Sequence, residues 1–131
     1  MILIDSNIPM YLVGAAHPNK DAARRLIEVS IDAGETLVTD AEVFQELLHR
    51  YVAIDRRDAI GPAFDILAAL ADVTYPVDFD LVDRARLLLQ GQAGLSARDA
   101  IHVAVMQREA ISTVMSFDRG FDGVAGIRRI G

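Results

Sequence analysis

The chain has 131 residues, 52% of them hydrophobic, and a formal net charge of −6, a composition that excludes a disordered chain and argues against a broad nucleic-acid-binding surface. No apolar run approaches the roughly 18 residues of a membrane span, and the absence of cysteine excludes disulfides, thiolate zinc sites and cysteine nucleophiles. We therefore expect one cytoplasmic domain over residues 1–131, with no membrane association.

Short apolar runs alternate with helical patterns along the whole chain. In chain order, the predicted elements are a strand over 1–4, a short helix around Pro9, a helix from Pro18 to Gly34, a strand over 36–38, helices over 40–52 and 58–71, a strand over 73–75, a helix from Asp78 or Asp80 to Gln90, a helix from Ser96, and strands over 112–117 and 127–130. This alternation predicts an α/β fold with a mostly parallel sheet, in which sites lie beyond the carboxyl ends of the strands.

The start of the 40–52 helix carries two glutamates with different explanations. Thr39 and Glu42 have the spacing of a capping box, in which each side chain bonds the backbone of the other residue. Glu42 and Glu46 lie four residues apart on one helical face, where like charges are mutually destabilising. Because the capping box accounts for Glu42 and nothing local accounts for Glu46, Glu46 is the better candidate for a metal ligand.

Three aspartates also follow predicted strands or open a helix. Each has a plain structural alternative: Asp5 could cap a helix, Asp99 could form a capping box with Ser96, and Asp118 could be a turn residue. Together with Glu46 they nevertheless converge on one predicted edge of the sheet. Carboxylates gathered in this way repel one another unless a cation holds them, and hard oxygen ligands favour Mg²⁺ or Mn²⁺.

The histidines and the lysine restrict the metal ions and the classes of enzyme that fit the sequence. No His-x-x-x-His pair is present, so zinc is disfavoured. We expect His102 to be a packed or hydrogen-bonded helix residue and His17 a surface residue, whereas His49 could face a substrate. Lys20 is the one lysine and lies in an early helix, so receiver domains and haloacid-dehalogenase phosphatases, which need a downstream lysine, are excluded. No phosphate-binding Gly-Lys-Ser/Thr loop is present, so P-loop nucleotide hydrolases are excluded. Of the α/β enzymes with acids at the sheet edge, the metal-dependent nucleases remain.

Four segments resemble the PIN domain and, more closely, the VapC toxins of bacterial type II toxin–antitoxin pairs: ILIDSN, VFQELLHRY, LSARDAIHVAVM and MSFDRGFD. The resemblance covers the whole chain and implies a three-layer α/β sandwich with a central, mostly parallel sheet of about five strands. It also implies Mg²⁺- or Mn²⁺-dependent endoribonuclease cleavage of RNA, in many members tRNA or rRNA. Partners implied by the resemblance are a cognate antitoxin, which occupies the acidic pocket and a neighbouring groove, and a second copy of the chain.

The same resemblance assigns roles to individual residues. The family's acidic quartet corresponds to Asp5, Glu46, Asp99 and Asp118, of which Asp5, Asp99 and Asp118 would hold the metal ion. Supporting polar positions correspond to Ser6, Asn7 and Ser116. The spacing from Thr39 to Glu46 is one residue longer than the family pattern, so Glu42 could take part or replace Glu46. Candidate RNA-binding side chains are Arg50, Arg56, Arg57 and Arg98.

Two other functions remain open at this stage. A catalytically degenerate PIN module could act through protein binding alone, although the intact quartet argues against degeneration. A related DNA nuclease is the second alternative, although the chain is short for DNA-clamping elements. We further expect a homodimer, because the helices carry more apolar residues than one sheet face needs: Val52, Ile54, Ile60, Phe64, Ile66, Leu67 and Leu70.

Overall fold

Five parallel strands form the centre of the computed structural model, which describes residues 1–131. They are β1 (Ile2–Ile4), β2 (Leu37–Asp40), β3 (Val73–Tyr75), β4 (Thr113–Met115) and β5 (Arg128–Ile130). Their order across the sheet is β3-β2-β1-β4-β5, and every neighbouring pair is parallel. The chain therefore proceeds outward from β1 in one direction and returns to β4 on its other side, which places a crevice beyond the ends of β1 and β4.

Six α-helices surround the sheet. They are α1 (Asn7–Val13), α2 (Pro18–Asp32), α3 (Ala41–Ala53), α4 (Ile60–Leu70), α5 (Phe79–Gly91) and α6 (Ala97–Arg108), with short 3-10 turns at Arg57–Ala59 and Arg119–Phe121. The predicted α/β fold with a parallel sheet is confirmed, with element boundaries shifted by a few residues. None of these helices combines the length and the apolar character that crossing a membrane would require.

Two apolar cores lie on opposite faces of the sheet. Leu3 and Val114 belong to the core that includes α5 and α6, whereas Ile4 and Met115 belong to the core that includes α1 to α4. This alternation follows from the two-residue period of a strand. Helix α6 is buried along most of its length, which brings the polar side chains of its inner face into the protein interior.

The start of α3 differs from the predicted capping box. Thr39 is a residue of β2, and its hydroxyl donates a hydrogen bond to the Ile4 carbonyl at 3.0 Å. Asp40 is the N-cap instead, and its Oδ1 accepts from the Val43 N–H at 3.0 Å. The prediction that Thr39 and Glu42 form a capping box is therefore wrong, because the Thr39 hydroxyl bonds the Ile4 carbonyl of the neighbouring strand instead of the start of α3.

Four of the seven apolar residues expected at a dimer contact pack wholly or partly into the fold. Helix α4 contributes four of them to the core on its side of the sheet: Ile60, Phe64, Leu67 and Leu70. Val52 and Ile54 remain exposed at the end of α3 and beyond it. The apolar surface left for another chain is thus smaller than the sequence predicted.

Candidate active site

Asp5 lies directly after β1 and is oriented by three hydrogen-bond donors. Its Oδ1 accepts from the Ser6 N–H at 2.7 Å, and its Oδ2 accepts from the Ser116 hydroxyl at 2.5 Å and the Asn7 amide at 3.2 Å. Burial raises the pKa of Asp5, while the charge of His102 and the Ser116 hydrogen bond act in the opposite direction. The carboxylate therefore has a fixed position at the edge of the sheet.

Asn7 and Ser116 connect the ends of β1 and β4. The Asn7 amide donates to Ser116 Oγ at 3.0 Å, and Asn7 Oδ1 accepts from the Phe117 N–H at 3.2 Å. Ser116 Oγ also accepts from the Asp118 N–H at 3.0 Å. One polar network thus fixes the segment that carries Asp118 relative to Asp5.

Glu46 is positioned by a buried histidine and a serine. Ser6 donates its hydroxyl to Glu46 Oε2 at 2.7 Å, and His102 Nε2 lies 2.6 Å from Glu46 Oε1. The other ring nitrogen, Nδ1, lies 2.7 Å from Oδ2 of Asp40. Complete burial by itself would lower the pKa of His102, but the charge of Asp40 and the hydrogen bonds to Asp40 and Glu46 raise it well above its usual value. Each ring nitrogen thus faces one carboxylate, an arrangement that favours the imidazolium, which can donate at both nitrogens.

Asp99 and Asp118 approach each other around Gly120. A Cβ atom at Gly120 would lie 3.0 Å from Asp99 Oδ2 and 3.2 Å from Asp118 Oδ1, so glycine leaves room for both carboxylates. The Gly120 N–H donates to Asp118 Oδ1 at 2.8 Å. The Asp99 N–H donates to Ser96 Oγ at 3.1 Å, which is the backbone half of the predicted capping box.

The charge around Asp99 is not balanced within the protein. Burial, followed by the negative charges of Asp5 and Asp118, raises the pKa of Asp99 to about 7. No lysine or arginine forms a salt bridge with Asp99 or Asp118. The arginines that do form salt bridges contact other acids. Protonation of Asp99 relieves this repulsion below its pKa, and a cation from solution stabilises the carboxylates together once they are ionised.

The four acids line one cleft with a volume of about 560 Å³. Two predicted RNA-binding residues, Arg50 and Arg98, lie on its walls, as do Ser6 and Asn7. Four other candidates do not line it: Glu42, Arg56, Arg57 and Ser116, of which Ser116 is buried and reaches the site through its hydrogen bond to Asp5. Arg56 instead forms a two-pronged ion pair with Asp58, at 3.1 and 3.2 Å.

The donor set fits a divalent cation. Potential ligand atoms of Asp5, Glu46 and His102 lie within 4.8 Å of one another. Both nitrogens of His102 are already engaged by carboxylates, however, so this ring is unsuited to ligation. Carboxylate oxygens from Asp5 and the unbalanced Asp99 and Asp118 remain, and such hard ligands suit Mg²⁺ or Mn²⁺.

Sequence analysis missed two members of this site. Neither Asp40 nor Gly120 carries a local sequence signal that marks it as part of the site. His102 was expected to be packed or hydrogen-bonded, which is confirmed, but its two acidic partners were not foreseen. The signal that could have identified them is the presence of a polar ring on the apolar face of α6, since a buried histidine requires partners for both nitrogens.

Comparison with known proteins identifies the class of fold and site. The PIN-domain family model matches residues 2–127. Ribonuclease VapC13 of Mycobacterium tuberculosis is 57% identical over 130 residues, which are 99% of each chain. Among solved structures, M. tuberculosis VapC20, a toxin that cleaves the sarcin-ricin loop, superposes with a TM-score of 0.75 at 22% identity over 95% of each chain.

A toxin–antitoxin complex from Klebsiella pneumoniae superposes with a TM-score of 0.67 at 18% identity, covering 98% of this chain and 96% of the other. The chain belongs to the PIN-domain family and, within it, to the VapC ribonucleases. The resemblance inferred from its acidic segments is thereby confirmed.

Proposed function

We propose that this VapC ribonuclease is a Mg²⁺- or Mn²⁺-dependent endoribonuclease that acts as the toxin of a type II toxin–antitoxin pair, with residues 1–131 forming one PIN domain. The observation that supports it best is the pair Asp99 and Asp118. Their carboxylates converge around Gly120 beside Asp5, and neither forms a salt bridge with a lysine or an arginine. Such an arrangement is unfavourable for stability alone and favourable for holding a divalent cation.

Asp5, Asp99 and Asp118 are the proposed ligands of the ion. When bound, a divalent ion supplies charge stabilisation at the scissile phosphate and a water molecule of lowered pKa for in-line attack. Ser6, Asn7 and Ser116 keep Asp5 in position through the hydrogen bonds at its two oxygens. Because these donors belong to the ends of β1 and β4, the ligand geometry is set before the ion binds.

Glu46 is the proposed fourth acid and lines the same cleft as Asp99. Its two oxygens accept from Ser6 and His102, which prevents it from turning into solvent. Arg50 and Arg98 line the same cleft, and neither is in a salt bridge, so both are available to RNA phosphates. Arg56 and Arg57 would contact RNA only outside the cleft.

The proposed substrate is a structured cellular RNA, tRNA or rRNA. The fold similarity to a toxin that cleaves the sarcin-ricin loop supports the RNA class without specifying the site of cleavage. The proposed partners are a cognate antitoxin, which the similarity to a toxin–antitoxin complex supports, and a second copy of the chain. A shallow groove on α3, lined by Leu48, His49 and Val52, offers exposed apolar surface for either partner.

The proposal is tested by incubating the purified protein with tRNA, rRNA and DNA of matched sequence, with Mg²⁺ or with EDTA. We expect cleavage of RNA only, and only with the metal ion. Asp99→Asn should abolish cleavage while the protein remains folded, and the exposed Asp65→Asn serves as the matched acidic control. Cleavage at an undiminished rate in EDTA would contradict the metal-dependent mechanism, and preferential cleavage of DNA would favour the DNA nuclease instead.

A further inference from the structure

An aromatic wall stands beside the acidic cleft and has no part in holding the carboxylates. Tyr11, in α1, and His17, before α2, both line the cleft, and their ring centroids lie 5.0 Å apart with planes inclined by 35°. Tyr11 also meets Phe117 edge to face, with centroids 5.5 Å apart. Because Phe117 lies between Ser116 and Asp118, the aromatic wall is fixed relative to the acids.

His17 is held with one side of its ring towards solvent. Its Nδ1 accepts a hydrogen bond from the Asn19 N–H at 3.0 Å, so the imidazole caps α2 and cannot rotate freely. His17 is nevertheless exposed, whereas Tyr11 is half-buried. A fixed, exposed aromatic ring beside a reaction centre is poorly explained by packing, since it buries little apolar area.

Single-stranded RNA has both features that this cleft would recognise. Arg50 and Arg98 provide positive charge for the backbone, and the aromatic rings provide a surface on which a base can stack. On a chain with a net charge of −6 and an acid-lined cleft, attraction to phosphates is weak, so stacking must supply much of the affinity. The cleft volume of about 560 Å³ leaves room for a base beside the reacting phosphate.

We propose that the Tyr11–His17 pair is a base-stacking platform that holds an unpaired nucleobase next to the scissile phosphate, an inference that rests on the proposed ribonuclease function. It makes the preferred substrate an RNA with an extruded or single-stranded base, as in a loop. The platform positions the substrate and takes no part in proton transfer or metal binding.

The chain contains no tryptophan, so Tyr11→Trp introduces a single fluorophore into the platform. In an Asp99→Asn background, which binds RNA without cutting it, a short oligouridylate or oligoadenylate should quench this fluorescence. An abasic ribose-phosphate oligomer of equal length should not. Tyr75→Trp is the control, because Tyr75 lies on β3 outside the cleft and should not respond to either oligomer.

Kinetics on the otherwise unaltered enzyme provide the second measurement. His17→Asn keeps an oxygen acceptor that can cap α2 but removes the ring. It should raise KM for RNA about 5- to 150-fold, the range that corresponds to one lost base stack, with little change in kcat. Tyr75→Phe, on β3 outside the cleft, is the control and should behave like the wild type.

The outcomes separate this inference from the proposed function. Metal-dependent RNA cleavage with no quenching by either base-containing oligomer, or an unchanged KM for His17→Asn, would overturn the platform and leave the ribonuclease assignment intact. Equal quenching by the abasic oligomer would also overturn it, since phosphates alone would then explain the signal. Failure of the wild type to bind or cut RNA would overturn both.

Discussion

The Nε2 atom of His102 lies 2.6 Å from Oε1 of Glu46, so a ring wholly inside the protein sets the direction of an acid that faces the cleft. The opposite nitrogen of the same ring is bound to Asp40, the residue that caps the helix carrying Glu46. The N-cap and the first turns of α3 are therefore fixed to α6 through the His102 ring. Stability and the geometry of the site depend on the same contact.

Replacing His102 should affect both properties. His102→Asn removes the positive charge between two carboxylates and leaves Asp40 buried without its partner, so we expect a loss of about 3–5 kcal/mol in the free energy of unfolding. RNA cleavage should also slow under conditions in which the variant is fully folded, because Glu46 is released. Urea denaturation and single-turnover cleavage measure the two effects. His49→Asn, on the exposed face of α3, is the control, and equal effects of the two substitutions would refute this role of His102.

Gly120 allows a substitution that separates activity from stability. In Gly120→Ala the new Cβ would press on the carboxylate oxygens of Asp99 and Asp118, at 3.0 and 3.2 Å, and these flexible side-chain ends can move aside. We expect a change in the free energy of unfolding below about 1 kcal/mol but a large loss of metal affinity and cleavage. Calorimetric titration of Mn²⁺ measures the affinity. The control is Gly94→Ala, where nothing lies within 4 Å of the added atom, and normal Mn²⁺ binding by Gly120→Ala would contradict the ligand assignment.

Glu42 and Glu46 should differ sharply in their effect on activity. Glu46→Gln weakens the contact with His102 and removes a charge from the cleft, so most activity should be lost. Burial and the nearby charges of Glu46 and Asp40 raise the pKa of Glu42, which His102 partly offsets. Neutralising Glu42 therefore relieves repulsion, and Glu42→Gln should remain active and change stability by less than about 0.5 kcal/mol. Parallel cleavage assays and thermal melts decide the matter, and the reverse pattern would make Glu42 the functional acid.

The metal-free protein should lose stability as the pH rises towards neutrality. Asp99 has a pKa near 3.8 when unfolded and about 7 when folded, so between these values the folded state retains a proton that the unfolded state has lost. Its stabilising contribution is complete below the lower value and disappears as the pH passes the upper one. Asn cannot ionise, so Asp99→Asn should be more stable than the wild type above pH 7 and similar to it near pH 4.

Adding Mg²⁺ should reduce this difference in stability at the higher pH. The ion binds the ionised wild-type site, so Tm rises with the concentration of the ion. The free energy of unfolding increases by about 2.7 kcal/mol when the ion is in hundredfold excess over its Kd. Asp99→Asn should show little such response. Melting curves collected across pH, with EDTA or Mg²⁺ and with Asp65→Asn as control, test both effects. A wild-type Tm that is independent of pH and of Mg²⁺ would exclude a metal site at Asp99.

The sequence predicted the strand and helix pattern because its signals are local. Apolar runs, proline at the start of α2 and acids at the ends of β1 and β4 depend on neighbours in the chain, and the parallel sheet follows from their alternation. The helix cap was mistaken by one residue because Thr39 and Asp40 are both good caps. Their side-chain partners distinguish them: the Thr39 hydroxyl donates to the Ile4 carbonyl, whereas Asp40 Oδ1 accepts from the Val43 N–H. The contact with Ile4 joins residues 35 positions apart, and only the folded chain reveals it.

The hydrogen bonds of His102 could not be predicted from the sequence either, because they also depend on tertiary structure. Its partners precede it by 62 and 56 residues, and no sequence spacing indicates that α3 and α6 meet there. The apolar pattern of α6 indicates a buried helix, but it does not show what satisfies the one polar ring inside it. Likewise, the role of Gly120 depends on how closely two distant carboxylates approach, which only the folded chain determines.

The hydrogen bond from Ser116 to Asp5 joins residues 111 positions apart, and it has a consequence for synthesis of the protein. A ribosome makes β1 early, but the segment that orients Asp5 and carries Asp118 emerges much later. Nascent chains that lack this segment cannot assemble the cleft, however well their earlier helices fold. The cleft is therefore completed late in synthesis, when β4 and the residues after it join the sheet.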